Sequence, residues 1–322
     1  MVIISFVFIG SSILTGCAKH EVLSQDQSQR VPDLLPGSCP YPCTDTRCKA
    51  YLNGYCGTGS GSDTIAVITN SKNPEETVGK MHNNGMISIM PNYNSGSLQA
   101  TQQNVFSFTK TFMIQNHYDS ATLVYAYNYS IQHNYYSFSS MPSIDSVAVR
   151  EHNDNNLSTT AENYAFRLAN LISSLLDSAT SAVYTSFANQ VIVYENQIIN
   201  DNSLTTNEKN ILLSAHSVAR YSANYWMNYY NSQSSGLSSA NVQVNSLRQT
   251  PMKATTGGWF NWKDTLGDDV AGALGGAAGG AIGGSLAGGV GALPGAAGGA
   301  LIGGVGASVQ NAAKQVWNHL FG

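Results

Sequence analysis

Charge is scarce in this chain. Only 11% of its 322 residues are Asp, Glu, Lys or Arg, and the formal net charge is -4. No basic field exists to neutralise phosphates, which excludes nucleic acid as a partner. Catalytic signatures are missing as well: there is no His-Glu-x-x-His, no Gly-x-Ser-x-Gly and no Walker loop. The glycine-serine run over 57–62 precedes a strand-like segment and lacks a closing Gly-Lys-Ser/Thr, so it reads as a linker. His82, with Asn83 and the Glu75/Glu76 pair close in sequence, is the one histidine here whose setting invites chemistry. No second catalytic group stands at a diagnostic spacing from it, so it reads as a structural residue. The expectation is a non-enzymatic protein with no cofactor and no metal.

The most informative absence lies near the C-terminus. From Val270 to Ala313 no charged residue occurs, and glycine recurs at every fourth position. Gly272, Gly276, Gly280, Gly284 and Gly288 form one series; Gly291, Gly295, Gly299 and Gly303 form a second. On a helix, residues four apart lie nearly above one another, so each series makes a seam free of side chains that another backbone can approach closely. The fillers are Ala, Leu, Ile and Val, whereas flexible linkers favour polar residues. Pro294 divides the stretch, which predicts two helices, about 269–292 and 294–317, folded as a hairpin. Each would reach roughly 33 to 36 Å, enough for a hydrocarbon core of about 30 Å. Trp259 and Trp262 before the first helix, with Trp317 and Phe321 closing the second, would then share one side as an interfacial belt. Asp268 and Asp269 would sit at the first helix's N-terminus, where the helix dipole favours negative charge.

Paired Gly-x-x-x-Gly runs around a turn resemble the glycine-zipper two-helix module of bacterial outer-envelope lipoproteins. They are also similar to the membrane-active part of glycine-zipper bacteriocins and contact-dependent toxins. The resemblance covers about the last sixth of the chain. It implies close helix packing in or near a membrane, with membrane lipid as partner and self-association through the zipper.

The N-terminus points to export. Residues 1–16 read as a signal peptide whose apolar core is too short for a comfortable membrane span, and Leu14-Thr-Gly-Cys17 resembles the lipobox of bacterial lipoproteins. The resemblance implies an acylated Cys17 at the head of the mature chain, and hence a location in the cell envelope, anchored by lipid at the outer membrane. The departure from that pattern is that no Lys or Arg precedes the apolar core. Residues 17–37 read as a polar tether. Cys39, Cys43, Cys48 and Cys56 follow: two disulfides of undetermined pairing are expected over a zinc site, because no Cys-x-x-Cys occurs and an exported protein meets an oxidising compartment.

The remainder reads as mainly α. Residues 38–150 are expected to form a small disulfide-braced, mixed α/β region. Within it, a short β-branched segment spans 64–68, an Asn73-Pro74-Glu75-Glu76 start opens a helix ending near Gly85, and aromatic patches over 105–149 suggest one or two strands. The pattern Asn73-Pro, Val78-Gly79, His82-Asn83, Gly85 resembles one found in exported bacterial proteins of unknown function. Residues 157–231 carry helical periodicity with capping signals at Thr159-x-x-Glu162 and Thr205-x-x-Glu208, predicting an antiparallel pair or triple of helices. Residues 232–256 read as a linker, and 257–322 as the glycine-zipper membrane hairpin. The resulting expectation is an exported envelope lipoprotein that inserts or self-associates in a membrane through this hairpin; the alternative is a bacteriocin-like or contact-dependent toxin that permeabilises a neighbour's membrane.

Overall fold

The structure is a computed structural model that describes residues 65–90, 98–115, 121–135, 141–234, 260–286 and 292–321. Every regular element among them is a helix: α1 (Glu76–Ile89), α2 (Leu98–Gln115), α3 (Ala121–Gln132), α4 (Ile144–Asn153), α5 (Thr159–Ser173), α6 (Ser181–Asn200), α7 (Thr206–Ser234), α8 (Trp262–Leu286) and α9 (Ala292–Phe321). The mainly α expectation therefore stands for the described residues. The cysteines, the signal and tether, and the linker beyond Ser234 lie outside them.

Local chemistry sets the starts of the helices. Thr205 and Glu208 form a reciprocal capping box at α7: Glu208 N–H donates to Thr205 Oγ1 at 3.2 Å, and Thr205 N–H donates to Glu208 Oε2 at 2.7 Å. Ser158, one residue earlier than the spacing suggested, caps α5 by accepting from Ala161 N–H, and Thr180 and Ser143 do the same for α6 and α4. Asn261 Oδ1 accepts from Lys263 and Asp264 N–H. That cap starts α8 about two turns before the expected boundary and moves Asp268 and Asp269 from the helix terminus into its interior. Pro294 lies in the first turn of α9, where its missing N–H has no partner to lose.

The strands expected in the N-terminal half are not found among the described residues. Val105, Thr109, Phe112 and Met113 are buried at helical spacing on α2, and Leu123, Ala126, Tyr129 and Ser130 on α3. The aromatic and β-branched residues of this region pack on helices, so tertiary contact overrides their strand preference. The segment before α1 also joins no sheet. Its backbone is satisfied by side chains: Ile65 N–H donates to Asn228 Oδ1, Ile68 N–H to Tyr184 Oη, and Asn224 and Arg220 donate to the Ile65 and Ile68 carbonyls. Helix α1 runs past Gly85 because that glycine serves packing: a Cβ there would meet Phe108 and Val305 at 3.0 Å.

The hairpin α8–α9 lies in the middle. Helices α3, α4, α5 and α7 pack on α8, while α1, α2, α3 and α7 pack on α9. Helix α6 lies outside, against α7. The core follows this arrangement: Val270, Leu274, Ala277, Leu301, Ile302, Val305 and Val309 of the hairpin are buried with Val78, Met86, Met113, Leu123, Val147 and Leu168 of the surrounding helices.

Candidate functional site

Glycines at four-residue spacing let the two hairpin helices touch backbone to backbone. A Cβ on Gly272 would fall 2.4 Å from the Gly303 carbonyl oxygen, one on Gly276 2.1 Å from that of Gly299, and one on Gly280 1.8 Å from that of Gly295. Real Cβ atoms do not approach an oxygen so closely. The seam therefore holds only while each of these positions lacks a side chain. Gly284 continues the register, its Cα 3.4 Å from a Cβ built on Gly295, and Gly288 and Gly291 lie outside the described residues.

A second glycine surface, adjacent to the first, meets the surrounding helices. A Cβ on Gly275 would collide with the Tyr135 ring, one on Gly279 with Tyr129, and one on Gly283 with Tyr125. On α9, Gly298 faces Met113 and Leu123, and Gly304 faces His82. In each of the doublets Gly275-Gly276, Gly279-Gly280, Gly298-Gly299 and Gly303-Gly304, one glycine admits the partner helix and its neighbour admits a side chain of the sheath. The repeated Gly-Gly was the available signal; a count at intervals of four passes over half of it.

Of the aromatic residues expected at a membrane interface, Trp262 is the one whose side chain is described. Trp262 is buried and donates from Nε1 to the Asp177 carbonyl at 3.1 Å. Phe260 packs on Trp226 and Tyr229. Trp259 and the side chains of Trp317 and Phe321 are outside the described set. Burial of Trp262 follows from the early start of α8, which draws its first turn into the core.

Where sheath and hairpin meet, a buried polar node joins four helices. Asp269 of α8 accepts at Oδ2 from Ser222 Oγ and from Trp226 Nε1–H at 2.8 Å, both on α7. His82 of α1 lies 3.7 Å from that oxygen and 3.1 Å from Ser308 Oγ of α9. Asn83 donates to the Tyr221 carbonyl, which turns its Oδ1 toward His82 Nδ1 at 3.1 Å. That arrangement sets the Asn83 acceptor against Nδ1, which favours the ring proton there. Every one of these side chains is buried, and Asp269 Oδ1 has no partner. Burial pushes the Asp269 carboxyl up to about 7 and the His82 imidazole down to about 4. Both are therefore held toward their neutral forms. A Ser, a His and an Asp do converge here, with Ser308 and Asp269 both beside one ring nitrogen and all three side chains buried. The arrangement links α1, α7, α8 and α9.

Two further polar clusters tie the sheath to itself. Arg220 donates to Glu195 Oε1 at 3.0 Å, to Glu76 and to the Ile68 carbonyl, while Glu195 also accepts from Asn70 and Asn73. Glu151 of α4 accepts from Tyr129 and Tyr135, and from Arg150 and Asn156. The second cluster holds by their hydroxyls two of the tyrosines that fill the glycine notches.

An open cleft of about 900 Å³ reaches the hairpin from outside, with Asn155, Asn207, Ser203 and Glu208 on its walls and Ala278, Ala281 and Ile282 at its floor. Among the described residues no group of His, Cys, Asp and Glu is arranged to hold a metal ion, and no helix is long and apolar enough to cross a membrane. Compared with known proteins, the chain matches no family model, no curated protein and no solved structure. Among the described residues, the fold and the site define an all-α assembly built around a glycine-seamed hairpin whose charges stand only toward its open end.

Proposed function

We propose that the chain is a non-enzymatic, exported envelope lipoprotein, anchored through Cys17, that carries its glycine-zipper hairpin enclosed by its own helices and engages a membrane through it. One observation carries this reading: within the uncharged stretch from Val270 to Ala313, the described helical segments 270–286 and 292–313 are packed by the surrounding helices, with buried hydrogen bonds at Ser308 and at the adjoining Asp269. Glycine lowers the hydropathy of each helix, so neither would enter lipid alone. A closed pair keeps its backbone seam inward and turns Ala, Leu, Ile and Val outward, and that pair is the unit proposed to meet lipid. Both seams are occupied within the chain in the closed form. Self-association between copies thus requires the hairpin to leave its sheath first.

The sheath itself favours a second reading, the bacteriocin-like or contact-dependent toxin. A hairpin resident in its own cell's membrane needs no cover, whereas one that crosses water to reach a neighbour must shield its apolar faces. The test uses the full-length chain with Cys17→Ser, so that no acyl chain contributes, mixed with dye-loaded vesicles of phosphatidylethanolamine and phosphatidylglycerol. Co-flotation with vesicles supports membrane engagement, and release of dye with it supports the toxin. A chain that neither floats nor releases dye refutes both.

A further inference from the structure

The sheath leaves one end of the hairpin apolar at the surface. Met113 of α2 and Leu123 of α3 both come within 3.3 Å of a Cβ built on Gly298, so the ends of these helices meet α9 close to its start. The residues that follow them, Ile114 and Val124, are 57% and 51% exposed. Tyr125, 39% exposed, packs beside Gly283 near the end of α8, and Leu293, 40% exposed, opens α9. Four of the eight exposed large apolar side chains among the described residues therefore gather at the turn end of the hairpin.

The charges of α2, α3 and the hairpin helices follow the same division. Helix α3 has no charged residue, and the hairpin's charges, Lys263, Asp264, Asp268, Asp269 and Lys314, all stand toward its open end. The charged residue of α2 is Lys110, exposed one helical turn before Ile114 and on the same face. An exposed lysine beside apolar and tyrosine side chains suits a bilayer surface: the rings and aliphatic groups enter the headgroup boundary while the ammonium meets anionic lipid. A second copy of the chain fits less well. Stable protein interfaces bury about 800 Å² on each partner, and four side chains at a helix end supply a fraction of that.

We propose that the turn end of the hairpin, formed by Ile114, Val124, Tyr125 and Leu293 with Lys110 beside them, is the face by which the closed protein docks on an anionic bilayer. This rests on the membrane reading above and specifies which surface touches lipid first. Docking here brings the end of α8 and the start of α9, the end of the hairpin away from its charges, to the membrane before any helix of the sheath has moved.

The experiment compares full-length Cys17→Ser protein with the same protein carrying Ile114→Asp, Val124→Asp and Leu293→Asp, by co-flotation with vesicles with and without phosphatidylglycerol. A control carries Leu176→Asp, since Leu176 is 66% exposed beside the open end, where the neighbouring Leu175 carbonyl accepts from Lys263. The expected result is a loss of binding of about tenfold or more for the triple variant, none for the control, and stronger binding of the parent to anionic vesicles. Circular dichroism confirms that the variants retain helix. If the parent binds and the triple variant binds as well, the docking face is wrong while the membrane reading survives. A parent that does not bind removes both. A parent that is dimeric in solution and becomes monomeric in the triple variant makes this face an interface between copies and overturns the proposal.

Discussion

Replacing Gly280 by alanine should destabilise the protein, although alanine is the better helix former. In a helix interior the change would contribute about 1 kcal/mol in favour of folding from propensity alone. Against this stands the new Cβ, 1.8 Å from the Gly295 carbonyl oxygen where ordinary contact begins at 3.4 Å. The obstructing atom is backbone, so no side chain can rotate away, and α8 and α9 must part along the seam. Overpacking of a tight interior costs typically 1–3 kcal/mol, and parted helices also lose dispersion contacts with each other. Taking the upper end and subtracting the propensity gain leaves a net loss of about 2 kcal/mol. Gly267, in the same helix, has nothing within 4 Å of the equivalent position. Gly267→Ala should therefore stabilise by about 1 kcal/mol. Urea unfolding followed by circular dichroism reads both variants on one scale. A Gly280→Ala protein as stable as the parent would refute backbone contact as the reason for glycine at the seam.

Two other outcomes follow from the buried polar groups. The folded Asp269 carboxyl is raised from 3.8 to about 7, so its contribution to stability is fully present below pH 3.8 and is lost as pH rises through about 7. Asp269→Asn keeps an acceptor for Ser222 and Trp226 without the charge, and should raise stability by about 2–4 kcal/mol at pH 8 and change little at pH 4; a variant less stable than the parent at pH 8 would contradict this. Arg220→Met leaves Glu195 with Asn70 and Asn73 but without its cation, and should cost about 3–5 kcal/mol. Hydrogen exchange should show the loss of protection starting in the segment before α1, and uniform protection there would argue against Arg220 as its fastening.

How far the fold could be read in advance depended on whether the signal was local. The capping box at Thr205 and Glu208 and the proline-divided glycine series are each written within a few residues, and the structure contains the corresponding helices. Helices α2 and α3 stand where strands are expected because Phe, Tyr, Thr and Val suggest strands by composition; only the spacing of their buried faces reveals a helix. The early start of α8 depended on Asn261, a cap hidden among tryptophans. The polar node was beyond reach for another reason. His82 and Ser308 are separated by 226 positions, and Asp269 looked like an ordinary acid at a helix start. Nothing near any of them indicates that they meet.

The order of the chain adds a consequence for biosynthesis. Helices α1 to α7 leave the ribosome before α8 and α9, yet the inner faces of α1, α2 and α3 find their apolar partners on those last two helices. Until the hairpin emerges, the apolar inner walls of those helices lack the partners they have in the folded protein. Closure must then join segments more than 200 positions apart, a slow class of event during which such walls attract chaperones or one another. A nascent chain stopped after Ser234 would be a shell with nothing to close upon.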